Sequence, residues 1–289
     1  MKYRFIMENR RIFRLEKMCK IMEVSRSGYH KYVNRKMSNL RRQNIEITEL
    51  IKRIYESKRG RYGSPRIHFE LRHDGMKINK KRVARLMRVN GIKAVTKRKF
   101  KATTDSNHKK AIADNLVNQH FQVNEANKIW VSDITYIRTK EGWLYLVVII
   151  DLYSRMVVGW SISESLNRVF LIKAIKQALA NRNPEDGLIF HSDRGSQYAS
   201  DEVRALLKSR NIRQSMSSKG NCYDNAVAES FFHSLKMELV FQKTFSSRKE
   251  AKNCIFEYIE IFYNRQRRHS TLDYLTPIEF ENSRLKLVA

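Results

Sequence analysis

The chain has 289 residues, of which 42% are hydrophobic, and it contains only 10 glycines and 3 prolines. This composition belongs to a globular protein and excludes collagen-like, low-complexity and intrinsically disordered chains. Lys and Arg number 57 against 29 Asp and Glu, and the formal net charge is therefore +28. A charge of this size indicates a polyanionic partner such as nucleic acid, but it does not indicate any chemistry.

The cysteines and the apolar runs indicate the compartment. Cys19, Cys222 and Cys254 are odd in number and widely spaced, which argues against a disulfide framework and a CxxC metal site. The first thirty residues are rich in Lys and Arg, and the longest apolar run, within 143–150, is too short to cross a bilayer. We therefore predict a cytoplasmic protein with no signal peptide and no membrane segment.

The pattern of the chain changes after about residue 125, from basic helical periodicity to short β-branched runs separated by turns. We divide the chain into an N-terminal helical region (1–60), a helix-turn-helix region (61–96), a basic linker (97–124) and an α/β region with a helical tail (125–282). The linker includes Lys97–Lys110, which is polar and without periodicity. We interpret it as solvated chain, with a path along a phosphate backbone as the alternative.

The helix-turn-helix prediction depends on cap residues. Ser64 and Pro65 occupy the cap and first turn of one predicted helix, which Gly75 ends, and Asn79 caps a second helix that ends at Asn90-Gly91. The second helix has an apolar face made by Val83, Leu86 and Met87. The basic residues that we assign to DNA contact are Lys80, Lys81, Arg82, Arg85 and Arg88.

Two alternatives remain open in this region. The second helix is also compatible with a plain amphipathic helix whose basic face is solvated. A weaker helix-turn-helix candidate lies upstream in Met18–Tyr32, where Ser25 caps a second short helix.

The region after residue 125 predicts a mixed sheet flanked by helices, in the order three strands, helix, strand, helix, strand, helix. Three strands in close succession indicate an antiparallel meander. The predicted strands are Ile129–Ile137, Leu144–Ile150, Met156–Ile162, Leu188–His191 and Ile212–Met216, and the predicted helices are Asn167–Ala180, Asp201–Ser209 and one that begins near Asp224.

Carboxylates at the ends of apolar strands need a physical explanation in so basic a protein. Asp133 lies in the first predicted strand and Asp193 just after the fourth, while Glu229 is on the helix that follows the fifth. An ionised carboxylate is tolerated in an apolar setting when it is paired or binds a metal. If the first and fourth strands are neighbours, these three oxygen donors meet and suit Mg²⁺ or Mn²⁺, and two such ions would explain them.

Asn225, Glu229 and Lys236 recur at spacings of four and seven, which places them on one face of the predicted helix. We assign Asn225 and Lys236 to DNA contact, with Lys236 directed at the same phosphate as Glu229. A salt-bridged surface face with no function is the alternative. The preceding segment, Gly220–Asp224, is interpreted as a loop that closes over DNA.

At these residues the chain resembles the integrase-like transposases of bacterial insertion sequences. The family signature is two Asp and one Glu, the last two separated by thirty-five residues, and positions 193 and 229 leave thirty-five between them. The phrases that carry the resemblance are WVSDITYI, LYLVVIIDLYSRMVVGW, HSDRGSQY, SMSSKGNCYDNAVAESFFHSLKMEL and YNRQRRHSTLDYLTPIEF. It covers about residues 45–282 and is strongest for the downstream-frame product of elements that encode transposase in two overlapping frames.

The resemblance implies a catalytic core with an RNase H-like fold, spanning 125–282, that cleaves element ends and transfers strands. It makes Asp133, Asp193 and Glu229 the catalytic ligands of two Mg²⁺ or Mn²⁺ ions and Lys236 a contact to terminal DNA. Asp151 is not one of the family's ligands and is predicted to be structural, and His191 is predicted to be an oriented core histidine, with a catalytic base as the alternative. No zinc site is expected, because His30, His68 and His73 lack paired cysteines.

The implied partners are double-stranded DNA, both the terminal repeats and the target, a second copy of the chain on DNA, and the upstream-frame product. The protein is then expected to be associated with the nucleoid. Two other functions remain open: a DNA-binding regulator without catalysis, and a metal-dependent nuclease that does not join strands.

Overall fold

The computed structural model describes residues 1–95, 112–119, 121–218 and 222–285. The helices are α1 (Lys2–Asn9), α2 (Leu15–Ile21), α3 (Arg26–Val33), α4 (Asn39–Ser57), α5 (Ser64–His73), α6 (Lys80–Val89), α7 (Arg168–Arg182), α8 (Asp201–Lys208), α9 (Ala226–Glu238), α10 (Arg248–Phe256) and α11 (Pro277–Leu285). The strands are β1 (Ile129–Thr139), β2 (Gly142–Asp151), β3 (Val157–Ser163), β4 (Ile189–Ser192) and β5 (Arg213–Met216). A π-helical segment, Glu257–Tyr263, continues α10.

The five strands form one mixed sheet in the order β3-β2-β1-β4-β5. The first three strands are an antiparallel meander, and β4 and β5 add to β1 in the parallel direction. Parallel neighbours need crossover connections, which α7 and α8 provide in the chain. This mixed sheet with flanking helices confirms the predicted RNase H-like fold.

Helices cover both faces of the sheet because its central strands are apolar on both sides. On one face, α7 and α8 pack on side chains such as Val147 and Phe190. On the other face, α9, α10 and the π-helical segment pack on side chains such as Val131 and Leu146. Gly159 in β3 permits the close approach of α7, since a Cβ there would lie 2.5 Å from the carbonyl oxygen of Ala174.

The helices α4, α5 and α6, which we call the helix-turn-helix unit, pack together and against the face of the sheet that α9 covers. Ile47 and Ile51 of α4, Ile67 of α5 and Val83 of α6 belong to the same buried cluster as the apolar side chains of β1, β2 and α9. The helix-turn-helix unit is therefore continuous with the core of the sheet. The predicted division at residue 60 separates α4 from helices that it contacts, and the proposed domain boundaries stay predictions.

The first three helices form a smaller unit with its own core of Ile6, Met18, Cys19 and Tyr29. Ser25 caps α3, as predicted, by accepting a hydrogen bond from the backbone N–H of Gly28 at 3.0 Å. In the helix-turn-helix unit, Asn79 caps α6 as predicted. By contrast, α5 begins at Ser64 itself, with Gly63 at the cap and Pro65 in the first turn, where its missing N–H does not weaken the helix.

The predicted strands and helices agree with the observed ones to within a few residues. The interpretation of Lys97–Lys110 and of Gly220 and Asn221 lies outside the described residues. In the part of the chain that the structure describes, every helix is too short or too polar to cross a membrane.

Candidate catalytic site and nucleic-acid interface

Asp133 and Asp193 lie next to each other at the point where β1 and β4 stop pairing. The last paired residues of these parallel strands are Ser132 and Ser192, and the two aspartates follow them. The Oδ1 atom of Asp133 accepts a hydrogen bond from the Ile134 N–H at 2.7 Å, and Oδ1 of Asp193 accepts one from the Gly195 N–H at 2.9 Å. The parallel register therefore brings together two carboxylates that are sixty positions apart in the chain.

The charges of the three predicted acidic residues act on one another. Burial raises the pKa of Asp133 well above its usual range, and the charges of Asp193 and Glu229 raise it further, against the Ile134 hydrogen bond and the Lys236 charge. Burial and the Asp193 charge also raise the pKa of Glu229, which lies in the first turn of α9. The structure thus brings the three carboxylates into one electrostatic neighbourhood, in which burial and the charges of the other acids disfavour the ionised forms of Asp133 and Glu229.

The three carboxylates do not form a ready coordination shell. Among residues 1–95, 112–119, 121–218 and 222–285, no three His, Cys, Asp or Glu side chains are gathered closely enough to hold a metal ion as they stand. Glu229 is exposed, whereas Asp133 is partly buried. The Asp133 and Asp193 pair is fixed by the sheet, and Glu229 lies on a separate helix that packs against it.

Lys236 lies two turns after Glu229 and is directed toward β1. Its side chain is buried, and its Nζ atom lies 5.4 Å from the centroid of the Tyr136 ring. Burial lowers the pKa of Lys236, although the nearby charge of Asp133 opposes this effect. Its predicted DNA contact stays a prediction, and in this conformation the ammonium is directed toward Tyr136 and Asp133.

Asn225 is buried directly before α9. Its Nδ2 atom donates a hydrogen bond to the Ser132 carbonyl oxygen at 3.1 Å, next to Asp133. Its Oδ1 atom has no hydrogen-bond partner among the described residues. These contacts tie the start of α9 to β1, and the predicted contact with DNA stays a prediction that this geometry does not favour.

Tyr198 and His191 are buried beside the aspartates. The Tyr198 hydroxyl hydrogen-bonds the Ser132 hydroxyl at 2.9 Å, and burial together with the charges of Asp193 and Asp133 raises the pKa of Tyr198. His191 contacts the hydroxyls of Ser215 and Ser217, and burial lowers its pKa to about 4. A neutral, enclosed imidazole agrees with the predicted core histidine. Tyr198 was not predicted, although it lies within the HSDRGSQY phrase.

Asp151 has the contacts of a structural residue. It is completely buried, accepts hydrogen bonds from the backbone N–H groups of Asn127 and Tyr153, and pairs with Arg182 at 3.3 Å. Arg182 also binds Glu281 of α11 through two nitrogen atoms. Asp151 thus fixes the end of β2 to α7 and α11, and in the sheet it lies opposite Trp130 and not opposite Asp133.

The basic face of α6 is exposed except at one position. Val83, Leu86 and Met87 are buried, which confirms the predicted apolar face. Lys80, Lys81, Arg85 and Arg88 are exposed. Arg82 differs, since its guanidinium donates hydrogen bonds to Asn44 Oδ1 of α4 at 2.8 and 3.0 Å. Arg82 therefore joins two helices of the unit, and the other four residues remain the candidates for DNA contact.

A buried ion-pair cluster at the end of α9 links the helix to the helix-turn-helix unit. Glu238 accepts hydrogen bonds from Arg267 at 2.9 Å and from the Tyr258 hydroxyl at 2.8 Å, and it pairs with Arg66 of α5 at 3.4 Å. Arg61, before α5, donates to the Glu238 carbonyl oxygen at 3.1 Å. We call these five residues the Glu238 cluster. Sequence reasoning missed it because its members are distant in the chain.

Two kinds of family model match the chain. Residues 123–222 match a model described as Integrase core domain, and residues 229–285 match a second model with the same description. Residues 42–100 match a model described as HTH-like domain. The first two matches include β1, β4 and α9 from residue 229 onward, and the third includes most of α4 and all of α5 and α6.

Named relatives and solved structures agree with these matches. Transposase InsF for insertion sequence IS3A of Escherichia coli (strain K12) is 42% identical over 287 residues, which covers 99% of this chain and 100% of that protein. The insertion element IS600 uncharacterized 31 kDa protein of Shigella sonnei is 42% identical over 272 residues, covering 94% of this chain and 100% of that protein.

Similarity to solved structures is weaker. A chain of the simian T-cell lymphotropic virus intasome, solved in complex with PP2A regulatory subunit B56 gamma, is 14% identical with a TM-score of 0.45, covering 80% of this chain and 73% of that chain. The HTLV-2 integrase catalytic core domain, solved with magnesium, is 18% identical with a TM-score of 0.41, covering 53% of this chain and 95% of that chain. The assignment therefore depends on the sequence relatives. Because these span almost the whole of both chains, the chain belongs to the insertion-sequence transposases that carry an integrase core domain, and it is a DNA transposase.

Proposed function

We propose that this transposase cleaves the ends of its element to free 3′ hydroxyl groups and joins them to DNA, and that Asp133, Asp193 and Glu229 hold two divalent metal ions for both reactions. The observation that carries the proposal is the meeting of Asp133 and Asp193 at the ends of paired parallel strands, with the Glu229 charge acting on both. Three carboxylates whose charges repel one another can be held together by divalent metal ions, and this role as metal ligands explains their grouping.

The donor set fits hard divalent cations. Its members are carboxylate oxygens, which Mg²⁺ and Mn²⁺ prefer. Burial, and after it the charge of Asp193, raises the pKa of Asp133 and of Glu229, and a bound cation would favour their ionised forms. Because like charges without a counter-ion repel, we expect ion binding to draw Glu229 toward the aspartates. Two ions bound there would activate the attacking oxygen and stabilise the leaving oxygen of an in-line displacement at phosphorus.

The other residues of the chain act by positioning and by charge. The backbone N–H groups of Ile134 and Gly195 orient the two aspartates. Lys236 is close enough to Asp133 for their charges to interact, and its ammonium is a partner for the phosphate that reacts there. The basic face of α6 binds duplex DNA and holds the element end in register with the carboxylates. No covalent intermediate with the enzyme is needed.

The proposal includes partners that transposition chemistry requires. Joining two element ends needs two ends held in one complex, so we propose at least a dimer on DNA. The resemblance to two-frame elements adds the upstream-frame product as a second partner. We expect pull-down of the purified protein by that product and a mass of two or more chains on end DNA.

A product assay tests the catalytic assignment. Purified full-length protein is incubated with labelled element ends and Mg²⁺, and Asp193→Asn and Glu229→Gln are expected to abolish cleavage and joining while DNA binding is retained. Glu185→Gln is the matched control, since Glu185 is 90% exposed and pairs only with a surface lysine among the described contacts. Undiminished strand transfer by either variant would refute the assignment.

The same assay separates the rival functions. Cleavage without joined product indicates a nuclease, and sequence-specific binding without nicking indicates a regulator. A thermal-shift titration with Mn²⁺ adds a readout that does not depend on activity: the melting temperature of the wild type should rise, and that of Asp193→Asn should rise much less.

A further inference from the structure

Two large aromatic side chains are exposed together on the β1–β2 hairpin, beyond Asp133 along β1. Tyr136 of β1 is 41% exposed and Trp143 of β2 is 45% exposed. Their rings form an edge-to-face pair with centroids 5.2 Å apart and an interplanar angle of 86°. Exposed aromatic surface of this size is unfavourable in water, and two such rings in contact are typical of a binding surface.

The position of the pair relates it to the carboxylates. Tyr136 follows Asp133 by three residues on the same strand, so the two side chains leave β1 on opposite faces, and both lie where β4 no longer pairs with β1. That edge of β1 therefore runs on without β4 from Asp133 until Thr139, which forms an isolated parallel bridge with Phe245. Lys236 reaches this edge, with its ammonium 5.4 Å from the Tyr136 ring centroid and its charge acting on Asp133.

Basic residues accompany the two rings. Arg138 lies opposite Trp143 in the β1–β2 register, so Tyr136, Arg138 and Trp143 share one face of the hairpin, and Arg138 is exposed. Aromatic faces interleaved with cations are the composition of surfaces that bind unpaired nucleotides, because bases stack on the rings while cations follow the phosphates. A neutral protein partner would leave Arg138 without a role, and unpaired DNA explains both the rings and the charges.

We propose that Tyr136 and Trp143 form a stacking platform for an unpaired nucleobase next to the phosphodiester bound at Asp133, Asp193 and Glu229. The inference rests on the proposed function for the location of that phosphodiester. An element end that is frayed or already nicked provides such a base, and stacking on the platform holds the strand end near the carboxylates. Stacking on aromatic side chains tolerates any base, so the platform accepts ends of different sequence.

A purely structural role makes a different prediction. Diagonal aromatic pairs across two strands stabilise a hairpin by packing alone. In that case Trp143→Leu would lower stability and would not change how the protein discriminates between paired and unpaired DNA ends. Stacking requires an aromatic ring, so Trp143→Phe should restore the discrimination.

Photocrosslinking provides the direct test. The probe is a duplex of the element end with three unpaired nucleotides, carrying 5-iodouracil at each unpaired position in turn, and the protein is full-length Glu229→Gln so that the probe is not cleaved. We expect adducts that mass spectrometry maps to Tyr136 or Trp143. Adducts that map only to other residues, or no adduct on either ring, overturn the proposal.

Affinity measurements supply a second readout with matched controls. Trp143→Leu and Tyr136→Leu should weaken binding of the overhang probe by about fivefold or more, without weakening binding of the fully paired duplex. The control is Phe256→Leu, because Phe256 is 52% exposed and pairs edge-to-face with Trp160 of β3, the edge strand that β2 separates from β1. Equal losses for both probes would contradict stacking.

The two proposals fail separately. If the wild type joins DNA but no adduct forms on either ring, the platform is wrong and the function stands. If the adducts form but the wild type never cleaves in Mg²⁺, the function is wrong and the base-binding surface stands.

Discussion

Removing the carboxylate of Glu238 should destabilise the protein strongly, because it leaves buried guanidinium groups without a counter-charge. The Glu238 side chain is 10% exposed and that of Arg267 is 9% exposed. In Glu238→Ala, the hydrogen-bond contacts that remain for the Arg267 guanidinium among the described residues are Ser234 at 2.9 Å and His269 at 3.5 Å. Neither contact supplies a negative charge. The Ser234 hydroxyl is neutral, and burial lowers the pKa of His269 to about 2, so its ring is uncharged at neutral pH.

The magnitude follows from the burial of the pair. Removing one partner of a buried, hydrogen-bonded ion pair costs about 3–5 kcal/mol, because the other charge stays buried and unpaired. Arg66, whose side chain is 23% exposed, loses a charged partner in the same variant. We therefore expect Glu238→Ala to lower the free energy of unfolding by about 4 kcal/mol.

Urea unfolding followed by circular dichroism measures this loss. The matched control is Arg168→Ala, since Arg168 and Glu202 form a surface pair at 2.8 Å with exposures of 56% and 50%. An exposed pair contributes at most about 1 kcal/mol. A loss for Glu238→Ala that is no larger than the loss for Arg168→Ala would refute the reasoning.

The same cluster predicts a pH dependence. Burial by itself would raise the pKa of Glu238, but the charge and hydrogen bonds of Arg267 and the charge of Arg66 outweigh it, and the pKa is lowered from 4.5. Because the folded-state pKa is the lower one, the stability that Glu238 contributes is present above about 4.5 and is lost as the pH falls further. The wild type should lose stability more steeply below this pH than Glu238→Ala.

Three further predictions concern charge. Asp133→Asn should raise the melting temperature in EDTA at neutral pH, because the raised folded-state pKa of Asp133 makes its ionised form unfavourable. The gain should vanish as the pH falls to about 3.8, the ordinary pKa of an aspartate. An unchanged melting temperature at neutral pH would contradict this prediction. The pKa of His191 is lowered from 6.5 to about 4, so the wild type should lose stability as the pH falls from 6.5 to 4, and His191→Gln should lose less of it in urea unfolding. Arg85→Ala and Arg88→Ala should each weaken binding to DNA of any sequence and reduce the slope of log affinity against log salt concentration by about 0.9. Arg82→Ala should chiefly lower stability, because Arg82 hydrogen-bonds Asn44. Equal salt slopes in all three variants would argue against a phosphate contact.

The local elements were readable from the sequence because their signals are local. Alternating and continuous apolar runs indicated the five strands, and Asn79 and Ser25 indicated where α6 and α3 begin. The small differences between prediction and structure concern the ends of helices and strands. The cap of α5 is Gly63 and not Ser64, so the helix starts one residue earlier than predicted. Both starts leave Pro65 in the first turn, and the sequence pattern therefore does not distinguish them.

The grouping of the acidic residues was predictable only in part. A spacing of thirty-five residues between Asp193 and Glu229 indicated a family, and the family implied the grouping. The sequence alone did not state that β1 and β4 pair in parallel and end together, which is why Asp133 and Asp193 become neighbours. The role of these residues in catalysis stays a prediction until the variants are assayed.

The sequence by itself determined the positions of the strands and helices, the strong positive charge and the identity of the candidate acidic residues, because each depends on residue type and short-range periodicity. Only the tertiary structure decided that Glu238 joins α9 to Arg66 of the helix-turn-helix unit, that Lys236 is directed toward Tyr136, and that Tyr136 and Trp143 are exposed together. These contacts depend on strand register and on helix packing between distant segments, and no local pattern encodes which surfaces will meet.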